Sequence, residues 1–179
     1  MYDDELWRLV PDEPGPAPEH LASFVRSLPQ AERALDLGCG DGRLSAQVDA
    51  AALVAADVSE VALERARRRL PDAELVRLRP DAPLPLADND FDLVLCAEMI
   101  EHVRDVQLLL SEIRRVLRPG GEAAIATPAH APVMRVPDPL SPHVRFFTRG
   151  SLRRLLEQHG FDVFELRRRS GTLLARGRR

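Results

Sequence analysis

The stretch that decides the fold is Leu35-Asp36-Leu37-Gly38-Cys39-Gly40-Asp41-Gly42-Arg43-Leu44. An apolar run, Ala34 to Leu37, suits a buried strand; it breaks into three glycines at alternate positions and then gives way to a helix-compatible stretch. Glycine is needed where the backbone turns tightly and where a ligand lies against the main chain, because a Cβ would obstruct both. Twenty-one residues after Asp36, at the end of the next apolar run, stands Asp57. A carboxylate at that spacing can accept hydrogen bonds from both vicinal hydroxyls of a ribose. Strand, turn and acid together point to a nucleoside-containing cofactor.

Outward from this turn, short apolar runs alternate with longer amphipathic ones. Strands are expected at Leu53 to Ala56, Glu74 to Leu78, Phe91 to Cys96, Glu122 to Thr127, Phe161 to Leu166 and Thr172 to Ala175. Helices are expected at Val61 to Leu70, Val106 to Leu117 and Ser151 to His159, closed by Pro71, by Pro119-Gly120-Gly121 and by Gly160. Parallel strands need a crossover long enough to hold a helix, so this alternation implies a doubly wound, Rossmann-like α/β sheet. Its last two strands form an antiparallel hairpin across Ser170-Gly171. Upstream, Pro11, Pro14, Pro16 and Pro18 mark an arm, and Leu21, Phe24, Val25 and Leu28 one packed helix. The reading is one domain over 1–179, with 1–29 an arm and helix and 128–147 a long proline-rich loop of the kind that carries function.

A chain of 179 residues with 45% hydrophobic and 30% charged residues should fold around its own core. The longest apolar run, Ala50 to Ala56, falls far short of the roughly 20 residues that span a bilayer. The acidic start, Asp3-Asp4-Glu5, does not resemble an export signal, so a cytoplasmic protein with no membrane partner is expected. The net charge of −3 argues against a domain built to grip a phosphate backbone. Every basic residue is Arg, which biased coding composition explains. Two cysteines, Cys39 and Cys96, cannot make a disulfide framework or a tetrahedral zinc site, and reduced thiols are expected. Oligomeric state is not written in these patterns.

A nicotinamide-binding turn wants G-x-G-x-x-G and a helix N-terminus for the pyrophosphate. Here the pattern is G-x-G-x-G, flanked by Asp36 and Asp41. Two carboxylates repel a diphosphate but suit an ammonium and a sulfonium, which favours S-adenosylmethionine. From about Ala34 onward the chain resembles the class I S-adenosylmethionine-dependent methyltransferases. The motifs that carry the resemblance are Leu35 to Gly42, Asp57-Val58-Ser59, Asp81-Ala82, Asn89 to Cys96 and Leu117-Arg118-Pro119-Gly120-Gly121, in order. The resemblance implies that Asp36, Gly38, Cys39 and Gly40 approach the methionine end of the cofactor. It assigns the ribose to Asp57 and Val58, the adenine edge to Asp81 and Ala82, and backbone contacts to the methionine to Cys96 and Ala97.

Methyl transfer is an in-line displacement, so the protein can supply positioning and deprotonation of the acceptor. After the fourth strand the sequence reads Glu98-Met99-Ile100-Glu101-His102-Val103. On a helical turn, Glu98, Glu101 and His102 would share one face. His143, in the proline-rich loop, is a fourth candidate. Oxygens and imidazoles of this kind could hold Mg, Mn or a later divalent metal. The pattern is similar to the Glu-x-x-Glu-His with a distant His in ubiquinone-pathway O-methyltransferases and in small-RNA 2′-O-methyltransferases. There it implies Glu98, Glu101, His102 and His143 as ligands of a metal that chelates vicinal oxygens. The other reading of the same residues is metal-free, with His102 or His143 as a plain general base beside Glu101. Thr127-Pro128 is followed by Ala129-His130 where both branches have Asn, which weakens the transfer of a specific substrate. His130 is a pocket candidate, whereas His20 and His159 read as packing or surface residues.

The expectation is therefore O-methylation of a small hydroxylated or catechol-like acceptor. The pocket would be closed by the N-terminal arm with Trp7 and by Ala129 to Phe147. An RNA 3′-terminal 2′-O-methyltransferase is the runner-up, disfavoured by the charge balance. A non-catalytic cofactor-binding partner subunit and a nicotinamide oxidoreductase are the readings from other classes.

Overall fold

The structure, a computed structural model, describes residues 2–12, 14–129 and 144–179. Two helices, α1 (Tyr2–Leu9) and α2 (Glu19–Arg26), precede β1 (Ala31–Leu37) and β2 (Ala50–Asp57). Then come α3 (Glu60–Arg69), β3 (Glu74–Arg77), β4 (Phe91–Ala97), α4 (Val106–Val116) and β5 (Leu117–Pro128). The chain ends with α5 (Arg149–Gln158), β6 (Asp162–Arg169) and β7 (Thr172–Arg178). The strands form one sheet in the order β3-β2-β1-β4-β5-β7-β6. β1 to β5 run parallel, while β7 pairs antiparallel with both β5 and β6. This is the doubly wound sheet with an antiparallel terminal hairpin that the alternation of elements predicts.

Successive residues of a strand face opposite sides of the sheet, so a sheet covered on both faces needs nearly continuous apolar strands. On one side, Leu35, Leu37, Val94, Cys96 and Ile125 pack with Leu109, Leu110 and Ile113 of α4 and Leu152 and Leu156 of α5. On the other, Ala34, Leu93, Leu95 and Ala124 meet Leu21, Phe24 and Val25 of α2, and Ala55 meets Leu63 and Ala66 of α3. Three helices, α3, α4 and α5, start on a side chain that satisfies an orphan N–H. Ser59 caps α3, Asp105 caps α4, and Thr148 with Ser151 forms a capping box on α5.

Two local expectations are corrected. The glycine turn does not lead into an α-helix; only a short 3₁₀ turn, Ser45–Gln47, separates it from β2. Gly38, Gly40 and Gly42 have φ of +73°, +56° and +80°, and three left-handed residues in five keep the chain from entering a right-handed helix. The N-terminal arm, in turn, contains a helix that the prolines conceal: α1 lies ahead of Pro11 and packs against α3. Among the described residues, no helix is long and apolar enough to cross a membrane.

Candidate functional site

A cavity of about 640 Å³ opens at the carboxyl ends of β1, β2 and β4, where ligands gather in open α/β sheets. Its floor is the glycine turn: Gly38 and Gly40 line it, with Asp57 and Val58 at the end of β2. A second wall comes from Asp81 and Ala82 after β3, a third from Met99, His102 and Val103 after β4, and Leu6 and Trp7 of α1 face it from outside.

Asp57 is the hub of the floor. Its Oδ2 accepts from the Gly40 N–H at 2.9 Å and its Oδ1 from the Ser59 N–H at 2.9 Å. Both bonds are buried, and they tie the carboxylate to the turn on one side and to the head of α3 on the other. Close approach is also built in at the glycines. A Cβ at Gly38 would meet Met99 Cγ at 2.8 Å, and one at Gly40 would meet Trp7 Cζ2 at 2.7 Å.

Asp36 lies behind this floor, 2% exposed, with its Oδ2 accepting from Ser45 Oγ at 2.6 Å. Burial pushes its carboxyl up to about 7; the Ser45 hydroxyl opposes the rise and the Asp57 charge adds to it. Asp41, expected to add negative charge to the site, is held by Arg43, whose Nε lies 3.0 Å from Oδ1, and by Arg69. The negative field on the floor therefore comes from Asp57, and Asp36 adds to it only above about pH 7. Cys39, Cys96 and Ala97 are buried beneath the surface of the cavity. Burial drives both thiols far above the ordinary cysteine range, so neither forms a thiolate near neutral pH.

Asp81 and Ala82, expected at the adenine edge, stand on a loop that is held by α4. Glu112 of α4 accepts from the Leu84 N–H at 2.7 Å and from Arg115, whose guanidinium also donates to the Leu84 and Leu86 carbonyls. Asp81, with φ of +50°, accepts from the Asp105 N–H at 3.4 Å, which ties the loop to the start of α4. The Glu112-x-x-Arg115 spacing is visible in the sequence as a helical pair, but its carbonyl partners are not.

On the acceptor side, residues 98–102 do not form the helical turn expected of them. Glu98 is in the left-handed region at φ +53°, exposed at the cavity rim, and Ile100 to His102 make a tight turn. A left-handed residue at the head of the segment breaks the i, i+3, i+4 alignment, so the three side chains do not share one face. Glu101 is turned inward, 1% exposed, with Oε2 accepting from Thr127 Oγ1 at 2.9 Å. Burial is the main cause that raises its carboxyl to about 7, with the Glu98 charge adding. His102 Nε2 lies 3.8 Å from Glu101 Oε1. Among the described residues, no group of three or more His, Cys, Asp or Glu is arranged to hold a metal ion. His143 and His130 lie outside the described residues, as does most of the expected acceptor-side loop. Its flanks converge here: Ala129 bridges Phe147, and the Val144 N–H donates to the Glu101 carbonyl at 2.9 Å. His20 bonds Thr172 Oγ1 and His159 the Leu155 carbonyl, both away from the cavity.

A family model described as "Methyltransferase domain" matches residues 35–125. A Mycolicibacterium smegmatis protein named "Probable S-adenosylmethionine-dependent methyltransferase" is 37% identical over 134 residues, 72% of this chain and 51% of that one. The ubiquinone biosynthesis O-methyltransferase of Mesorhizobium japonicum is 36% identical over 100 residues, covering 53% of this chain and 40% of the relative. The chain thus spans about half, or less, of the length of these curated relatives. Among solved structures, the S-adenosylmethionine-dependent methyltransferase of Aquifex aeolicus superposes with a TM-score of 0.70 at 21% identity, covering 89% of this chain and 87% of that one. At that identity the likeness is one of fold.

Proposed function

Since the chain belongs to the class I S-adenosylmethionine-dependent methyltransferase family, we propose that it transfers the methyl group of that cofactor to an oxygen of a small hydroxylated or catechol-like acceptor. The observation that carries this reading is the Gly40–Asp57 hydrogen bond at the floor of a cavity whose next wall is His102. A carboxylate held against a glycine turn suits a ribose, and an imidazole at the adjoining wall suits an acceptor hydroxyl.

The glycine turn and Asp57 would hold the cofactor, Asp57 through its ribose hydroxyls, and the cofactor would supply an electrophilic methyl carbon on its sulfonium. His102 takes the proton of the acceptor hydroxyl. The deprotonated oxygen would then be able to displace the methyl group, the S–C bonding pair passing to sulfur to give a neutral thioether. Above about pH 7, where its carboxyl is ionised, Glu101, 3.8 Å from His102, favours the imidazolium formed when the proton arrives. Glu98, Glu101 and His102 do not fit a shared metal, because Glu98 is exposed at the rim while Glu101 spends Oε2 on Thr127. The likeness to a ubiquinone biosynthesis O-methyltransferase supports an oxygen acceptor.

The test is incubation with cofactor carrying a labelled methyl group and a panel of catechols and hydroxylated acids, read by mass spectrometry. The expected result is label on an oxygen of one class. S-adenosylhomocysteine bound by calorimetry, with no label on any oxygen acceptor, would reject the acceptor assignment.

A further inference from the structure

Trp7 is the sole tryptophan of the chain. Its indole lies on the glycine turn, with Cζ2 within 2.7 Å of where a Gly40 Cβ would stand. The Gly40 N–H is the group that donates to Asp57 Oδ2. A flat apolar ring therefore covers the point where the turn meets the ribose-reading carboxylate, and Leu6 beside it lines the same cavity.

The helix that carries Trp7 is eight residues long, too short to persist without docking. Its docking is specific. Asp4 Oδ1 accepts from Ser59 Oγ at 2.6 Å and lies 3.5 Å from the Val61 N–H, at the positive end of α3. Arg65 of α3 places its guanidinium 5.8 Å from the Trp7 ring and pairs with Asp12 at 2.8 Å. Ser59 links both systems, because its N–H donates to Asp57 Oδ1 while its hydroxyl donates to Asp4. The residue that orients the floor carboxylate also anchors the roof.

We infer that Trp7 is a cofactor-contacting residue forming the outer wall of the adenosyl site, and that Asp4, by clasping Ser59 at the head of α3, is the positioning residue that holds this wall in place. The inference rests on the cofactor reading proposed above and extends it to α1. Weakening the hold of Asp4 on Ser59 loosens this wall and shortens the residence of the cofactor. Covering one face with an indole removes that face from water, a contribution a glycine turn cannot supply.

The experiment titrates the full chain with S-adenosylhomocysteine, following tryptophan emission and calorimetry in parallel, with dissociation measured by stopped flow. The expected result is an emission change that saturates with the calorimetric isotherm. Trp7→Ala weakens binding about tenfold, mainly through faster dissociation, as loss of a buried aromatic contact should. Asp4→Ala red-shifts the emission of the free protein and speeds release, and Asp4→Asn, whose amide oxygen still accepts from Ser59, restores both. Calorimetric binding with unchanged Trp7 emission overturns the inference and leaves the cofactor reading intact; the wild-type titration decides this even if a variant does not fold. Absence of any binding heat overturns both together.

Discussion

The Gly40 N–H and Asp57 Oδ2 are 2.9 Å apart and buried, so the turn after β1 and the tip of β2 form one unit rather than two neighbouring loops. The carboxylate is oriented by the backbone before any ligand arrives, which lowers the entropy that a ribose must overcome to bind. Asp57 thus ties the glycine turn to the head of α3 through its two oxygens.

Replacing Asp57 with Ala leaves the buried N–H groups of Gly40 and Ser59 without their acceptor. We expect a stability loss of about 2 kcal/mol and a drop in S-adenosylhomocysteine affinity of roughly 10- to 100-fold. Calorimetry and thermal unfolding read the two effects separately. An unchanged affinity removes the ribose assignment.

Gly40→Ala puts a side chain at φ +56° and into the Trp7 ring. The left-handed conformation alone costs about 1–2 kcal/mol, and the ring must move as well. A lower melting temperature with shifted Trp7 emission is expected, and native emission in a stable variant would contradict the contact.

Glu112→Ala deprives the Leu84 N–H and the Arg115 guanidinium of their carboxylate. The expected outcome is a loss of about 2 kcal/mol with a raised KM for cofactor, because the clamped loop carries Asp81 and Ala82. Wild-type KM in a destabilised variant would mean the clamp serves the fold alone.

Asp36 and Glu101 both hold their protons to about pH 7 in the folded state, against ordinary values of 3.8 and 4.5. The folded protein then binds more protons than the unfolded chain between about pH 4 and 7, so stability falls as pH rises through that window and levels above it. Asp36→Asn removes about half of the slope, the Glu101 share remaining, and raises stability at pH 8 by about 2–4 kcal/mol. Melting temperatures at pH 5.5 and pH 8 test this, and a parent protein more stable at pH 8 would refute the sign.

Treatment with a chelator should leave methyl transfer at its full rate, since the described carboxylates do not converge with His102 on a shared centre. Activity lost on chelation and restored by Mg²⁺ or Mn²⁺ would return Glu98, Glu101, His102 and His143 to the role of ligands.

The sequence by itself determined the sheet, the glycine turn and the acid at the tip of the second strand. Each is encoded locally, in apolar runs, in glycine's freedom at positive φ, and in a fixed spacing from strand to strand. Only the tertiary structure decided what surrounds them. Nothing near Asp4 in the sequence points to Ser59, fifty-five residues away, and nothing near Leu84 points to Glu112; such pairs exist only once the sheet has set its crossovers. The same holds for residues 98–102, where helical spacing suggested a shared face and a left-handed Glu98 dispersed it. Local periodicity fixes secondary structure, whereas the partners of buried charges are fixed by long-range packing, which no short window of residues contains.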